Sequence, residues 1–284
     1  MAAFNQFKTA ILLGLLSALL LWIGSFWGQN GLITALFFAA IMNLGSFYFS
    51  DKIVLALYRA KVIAEKDNPK LYHIVKEVTQ KAGLPMPKVC IIPAHHANAF
   101  AVGRNPKNSA VACTLGILEL LDEEELKGVI AHEVAHIKNR DTLIAAIAAT
   151  IASVISFIAM MARYAAIFGG GRDNERKGNP LELIVLAIVT PLIATLIQLA
   201  ISRSREFIAD ETGARLVRNP NGLALALQKL EKSTHAHPFG ISAVTESTAH
   251  LFISSPFSAR GFLTLFSTHP RTEERVKRLK AIRI

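Results

Sequence analysis

The chain has 284 residues, 52% of them hydrophobic and only 18% charged, with a formal net charge of +10 and a mean hydropathy of +0.38. A composition this apolar excludes an ordinary soluble domain and points to the membrane class. The two cysteines exclude a disulfide scaffold, and the basic residues lack the aromatic interleaving of a nucleic-acid surface, so no nucleic-acid partner is expected.

The first predicted element is a charge-free stretch from Ile11 to Trp27, and after the turn Gly28 to Asn30 comes a second, from Gly31 to Phe49. Each is close to the roughly 20 residues that span hydrocarbon. Only Lys8 precedes the first stretch, and the tight turn leads straight into more apolar sequence. The pair therefore reads as a retained transmembrane hairpin over residues 1–50, not as a cleaved signal peptide.

A polar segment, 51–141, follows. Leu71, Ile74, Val75 and Val78 recur at helical spacing and predict a helix over Pro69 to Ala82, ended by Gly83 and Pro85. Short β-like runs come next, at Lys88–Ile92, Phe100–Val102 and Ala110–Leu115. Gly103, Asn105 and Pro106 punctuate the last two as a hairpin. Cys90 and Cys113 lie in these strand-like runs, where core thiols of a reducing compartment are expected.

Asp122 and the acidic run Glu123 to Glu125 then signal a helix start, with Asp122 as N-cap and Glu125 in the capping-box position. Leu126, Val129 and Ile130 form its buried face. On its later turns stands His132-Glu133-Val134-Ala135-His136. Positions i and i+4 of a helix share a face, so both imidazoles reach one zinc ion, with Glu133 beside it as a general base. That is the chemistry of a zinc-dependent peptidase.

Thr142 to Ala162 and Leu183 to Ile201 are two further charge-free stretches. They predict a second transmembrane hairpin over 142–201, joined by the loop Gly169 to Pro180. Lys52, Arg59, Lys61, Lys66, Lys138, Arg140, Arg203 and Arg205 flank the spans on one side. Their bias places both termini and both polar segments in the cytoplasm, although Arg172, Arg176 and Lys177 dilute it. Much of the positive charge then faces anionic lipid. The second polar segment, 202–284, reads as mostly helical, with a Gly-, Ser- and Thr-rich loop from Phe239 to Ser267.

An antiparallel pair of spans returns the chain near its point of departure. A residue soon after Ser202 therefore lies beside His136. Catalytic zinc takes three protein ligands and leaves one position open. The metzincin spacing for a third histidine is occupied by Asn139 and Thr142. The next candidates are Glu206, as ligand, and Asp210, as the carboxylate partner of a zinc-binding imidazole. The lesser alternative on the residues alone is a solvated acidic face paired with Arg203 or Arg205. His136 is six residues ahead of the third apolar run, which sets the metal on the order of 10 Å from the bilayer edge.

Together with the four apolar segments, three stretches carry a resemblance over nearly the whole chain: His132 to His136, Glu206-Phe207-Ile208-Ala209-Asp210, and Thr268-His269-Pro270 followed by Arg275. The chain resembles the bacterial HtpX-type membrane zinc endopeptidases, relatives of the membrane CAAX prenyl protease. That resemblance implies one zinc ion per subunit on His132, His136 and Glu206, with Glu133 as catalytic base and His269 and Arg275 near the reacting atoms, where either is a candidate donor to the developing oxyanion. Asn98-Ala99-Phe100-Ala101 is similar to a family stretch that leads into a substrate-binding edge strand. Arg271 stands where a second proline is frequent, which leaves the local backbone less closely matched. The implied fold is mostly α with a small β-sheet (α+β), a gluzincin-like cytoplasmic zinc-peptidase domain built around transmembrane hairpins in the bacterial inner membrane. The implied substrates are membrane proteins or unfolded polypeptides, cleaved in protein quality control. An edge strand from the Phe100–Leu115 region offers β-augmentation to an extended substrate. The rival reading is a membrane scaffold with a structural zinc. A transporter is disfavoured, because the spans carry almost no ionisable groups.

Overall fold

The computed structural model describes residues 2–25, 28–148, 150–152, 203–236, 253 and 270–284. Most of the second apolar hairpin, the loop Gly169 to Pro180, the stretch Leu183 to Ile201, the loop Phe239 to Ser267, and Thr268 and His269 lie outside the described residues. The described part is mostly helical with one small mixed sheet.

Helices α1 (Ala2–Ser25) and α2 (Gly28–Leu57) pack on each other, and the Asn43 amide donates to the Ser17 hydroxyl at 2.8 Å between them. Helix α2 leaves Leu32, Ile33, Leu36, Phe37, Phe38, Ile41 and Leu44 exposed. It is long and apolar enough to cross a membrane, whereas the apolar stretches Ala10–Trp22, within α1, and Thr142–Ala152 are shorter. Its 30 residues extend about 45 Å, beyond a hydrocarbon core of about 30 Å. The apolar run ends at Phe49, yet the helix continues to Leu57 because Val54 is fully buried against the sheet.

The sheet orders its strands β1-β2-β4-β3, with β1 (Lys61–Val62), β2 (Lys88–Ile92), β3 (Ala99–Asn105) and β4 (Asn108–Thr114). The β3–β4 hairpin is antiparallel, and β4 runs parallel to β2. The crossover between those parallel strands is the hairpin itself, not a helix. Gly103 sits at the β3 irregularity with φ +146, where a Cβ would strike the Asn108 carbonyl. Only glycine accepts that backbone at no steric cost.

Side chains alternate across β3 with period two. Ala99 and Ala101 face the core beneath α3 (Pro69–Ala82) and α5 (Glu123–Asn139), while Phe100 and Val102 face Val54 of α2. The sheet is thus clamped between the end of a membrane-length helix and the helices of the larger core. Cys113 faces the first core and Cys90 the second, and both thiols are buried and free. Burial pushes the Cys90 thiol up to about 11, far from reactive thiolate.

After the short α4 (Leu115–Leu120), α5 begins as its sequence signals require. Asp122 accepts from the Glu125 backbone at 2.9 Å, and Glu125 accepts in return from the Asp122 N–H at 3.0 Å. Glu125 is itself buried and held by Lys229 at 2.6 Å. Asp122→Ala is expected to lower stability by about 1 kcal/mol, measured as a shift of the denaturation midpoint of the detergent-solubilised protein. Helix α5 then packs against α7 (Arg203–Val217) and α8 (Pro220–Ala236), with α9 (Thr272–Lys280) behind them. A further apolar helix, α6 (Thr142–Ala152), starts just after α5 and packs Ile144, Ile147 and Ile151 onto Leu12, Leu16 and Leu19 of α1.

Candidate metal centre

Helix α5 buries His132 and Glu133 and half-buries His136, while α7 buries Glu206 and Asp210. The two helices can approach this closely because Gly213 of α7 has no side chain. A Cβ there would lie 2.8 Å from the His132 backbone nitrogen and 2.9 Å from the Ala131 carbonyl carbon. Any larger residue forces the helices apart and carries Glu206 away with them.

The imidazoles of His132 and His136 face each other with 3.2 Å between their Nε2 atoms. Glu206 Oε2 lies 3.6 Å from the first Nε2, and Oε1 lies 3.5 Å from the second. One ligand atom from each residue falls within 4.8 Å of the others, so the three form a possible metal site. Four-coordinate zinc with bonds of about 2.0–2.1 Å sets its donor atoms roughly 3.3–3.4 Å apart. The observed spacings match that edge length, and two imidazoles with one carboxylate are a familiar zinc donor set. The residues present fit the ion.

Each imidazole is held from behind. Asp210 Oδ1 contacts His132 Nδ1 at 2.9 Å, and Asp141 Oδ2 contacts His136 Nδ1 at 3.2 Å. With Nδ1 engaged, Nε2 is turned toward the site. Burial pulls the His132 imidazole down, but hydrogen bonds to Asp210 and Glu206 outweigh it and push it up to about 9. A pocket that favours positive charge so strongly suits a cation. Burial likewise pushes Asp210 up, yet Arg275 and His132 pull it down to about 2.

Arg275 is the largest fully buried side chain among the described residues. It grips Asp210 with two hydrogen bonds, at 2.9 and 2.7 Å, and donates a third to the Ile253 carbonyl at 2.8 Å. Its Nη2 is 3.5 Å from the His132 ring nitrogens and its Nη1 3.8 Å from Glu206. It thus lies at the site, with its donors aimed at Asp210 and the residue-253 backbone. His269 lies outside the described residues.

Glu133 Oε2 accepts from the Ala101 N–H at 2.8 Å, so α5 and β3 meet at the candidate base. Burial raises the Glu133 carboxyl above its ordinary value, against the opposing pull of His132 and His136. Asn98, just before β3, is buried, and its Oδ1 accepts from the Ile253 N–H at 3.2 Å. Its Nδ2 is buried with no hydrogen-bond partner among the described residues. β3 is the edge strand on this side of the sheet. Its residues Ala99 to Val102 are nevertheless buried, because their side chains feed both cores.

Two contributors were missed by sequence reasoning. Asp141 enters the sequence analysis only as the last residue of the polar segment 51–141, and Gly213 not at all. The signal for Asp141 was its place immediately after the motif helix. Gly213 had a signal too, one helical turn past Asp210 on α7.

A family model described as Peptidase family M48 matches residues 65–283. A protein of Syntrophobacter fumaroxidans described as "Protease HtpX homolog" is 50% identical over 282 residues, covering 98% of this chain and 99% of that relative. A Pyrococcus abyssi protein of the same description is 48% identical over 276 residues, covering 97% of this chain and 95% of the relative. Among solved structures, S. mikatae Ste24p superposes with a TM-score of 0.52 at 17% identity, over 98% of this chain and 66% of that one. At that identity the likeness speaks for the fold alone.

Proposed function

The chain belongs to peptidase family M48 and is a zinc metalloprotease of HtpX type, and from that premise we propose that it cuts membrane-located or unfolded polypeptides on the cytoplasmic side of a bacterial inner membrane. The observation that carries this reading is the metal site's position, between a peptidase core and apolar helices. His136 is followed within a few residues by α6, and α2 runs from its exposed apolar face directly onto the sheet behind β3. The two hairpins (1–50 and 142–201) then anchor one peptidase domain assembled from 51–141 and 202–284. A substrate reaches the site from the membrane surface, about 10 Å away by helical rise.

In this reading His132, His136 and Glu206 hold one zinc ion per subunit. Zinc there supplies Lewis acidity toward a peptide carbonyl and lowers the pKa of water toward roughly 7. Glu133 takes a proton from the attacking water and delivers it to the leaving amine nitrogen as the C–N bond breaks. Ala101 keeps the Glu133 carboxylate aimed. Asp210 fixes the tautomer of His132, and Arg275 acts through Asp210 by holding it charged and oriented. Asn98, Ala99 and Phe100 open the strand along which an extended substrate aligns, with the Asn98 amide as a donor to its backbone. His269 is the remaining candidate for stabilising the developing oxyanion.

A scaffold with a structural zinc fits less well. Closed structural sites use four protein ligands, and three His and Glu donors gather here among the described residues. The test is a proteoliposome assay with an unfolded reporter supplied either free or on a transmembrane anchor. Zinc-loaded protein is expected to cleave the anchored form faster, and a chelator to stop both reactions. An anchored reporter left intact by zinc-loaded protein contradicts the proposal.

A further inference from the structure

We propose that Asp141 is a positioning residue of the metal centre, one that ties both ligand-bearing helices to the two ends of the apolar excursion between them. This rests on the reading of His132, His136 and Glu206 as the zinc site. The carboxylate of Asp141 is buried and works in two directions. Oδ2 meets His136 Nδ1 at 3.2 Å, and Oδ1 lies 3.7 Å from Arg205 Nη1. Arg205 is the residue just before Glu206 on α7. One side chain therefore orients one ligand and pins the turn that presents another.

The backbone makes that geometry firm. Arg140 ends α5 in the left-handed region with φ +61, uncommon for a residue with a side chain. That turn folds the chain back, so that the Asp141 N–H donates to the His136 carbonyl at 3.0 Å. The Asp141 carbonyl then accepts from Ala145 at 3.2 Å and opens α6. Lys8, from the start of α1, adds a second positive charge that interacts with both Asp141 and Arg205. The carboxylate is thus the junction of α1, α5, α6 and α7, where the excursion leaves the peptidase core and returns to it. A carboxylate behind a ligating imidazole fixes its ring orientation and raises its donor strength. Here that carboxylate also belongs to the residue just past the C-cap of the catalytic helix, so the set of the apolar helices bears on the affinity for the ion.

The experiment measures zinc affinity of the full chain in detergent by chelator competition, alongside the melting temperature of the metal-free protein. Asp141→Ala is expected to raise the zinc Kd by about 10- to 100-fold. Asp141→Asn keeps an oxygen on Nδ1–H and should fall between Asp141→Ala and the parent. A Kd for Asp141→Ala within twofold of the parent overturns the proposal, whatever happens to the melting temperature, because a purely structural role moves only the latter. Should Asp141→Ala not fold, Asp141→Asn is read by the visible absorption of the cobalt(II)-loaded protein. Loss of the negative charge behind His136 should shift its bands, and bands superimposable on the parent's overturn the proposal. His136→Ala separates the two levels. If it binds zinc as the parent does, the metal site itself is misassigned. If it loses zinc while Asp141→Ala does not, only the role of Asp141 fails.

Discussion

Glu133→Gln is expected to leave zinc binding intact while lowering peptide cleavage by about 100- to 10,000-fold, the range general acid–base groups supply. The substitution keeps the side chain's size and its oxygen acceptor for the Ala101 N–H, a bond of 2.8 Å, so the junction of α5 and β3 survives. The neutral amide has no basic oxygen to take a proton from water. Glu133 is buried and its carboxyl is raised mainly by burial. A carboxylate with that environment is a stronger base than one in water. Zinc content of the purified variant and its rate on an unfolded reporter together check the outcome. Undiminished cleavage removes Glu133 from the mechanism.

The second large effect is on stability. Arg275→Met is expected to destabilise the fold by about 3–5 kcal/mol, as when one partner of a buried ion pair is removed. Its side chain is 1% exposed, and its guanidinium makes the paired contacts to Asp210 at 2.7 and 2.9 Å. In the metal-free protein with Arg275 gone, Asp210 and Glu206 are two carboxylates in a dry core, and His132 is the main charge left to offset them. The Ile253 carbonyl also loses its donor. The double variant Asp210→Leu, Arg275→Met should cost less than Arg275→Met alone, since no unmatched charge then remains at that pair. Denaturation midpoints of the two variants in detergent check this. Equal loss in both shows that the guanidinium serves packing and not charge balance.

These two residues show how far the amino-acid order reaches. Glu133 was legible because its role follows from local spacing. A capping box at Asp122 and Glu125 starts the helix, and helical periodicity puts His132 and His136 on one face. The β3–β4 hairpin was legible for the same reason, with Gly103, Asn105 and Pro106 marking its turn, whereas its two faces emerge only from packing, since its apolar runs carry no polar alternation. Glu206 required one topological step, the antiparallel return of a chain that leaves and re-enters the core. Arg275 was readable only as a residue near the site. Which groups its donors meet depends on how α7 and α9 pack, and no local pattern encodes that. Asp141 was overlooked because its contact with His136 arises from a single left-handed residue, Arg140, which an ordinary charged sequence does not announce. The end of α2 was missed because hydropathy stops at Phe49, while the helix is carried on to Leu57 by the burial of Val54 against the sheet.

The most direct test is anomalous scattering at the zinc edge from crystals of the full chain. The account predicts one peak per subunit, about 2.0–2.2 Å from Nε2 of His132, Nε2 of His136 and a carboxylate oxygen of Glu206, with a position left for solvent. A peak on other residues, or a fourth protein donor closing the coordination sphere, contradicts it.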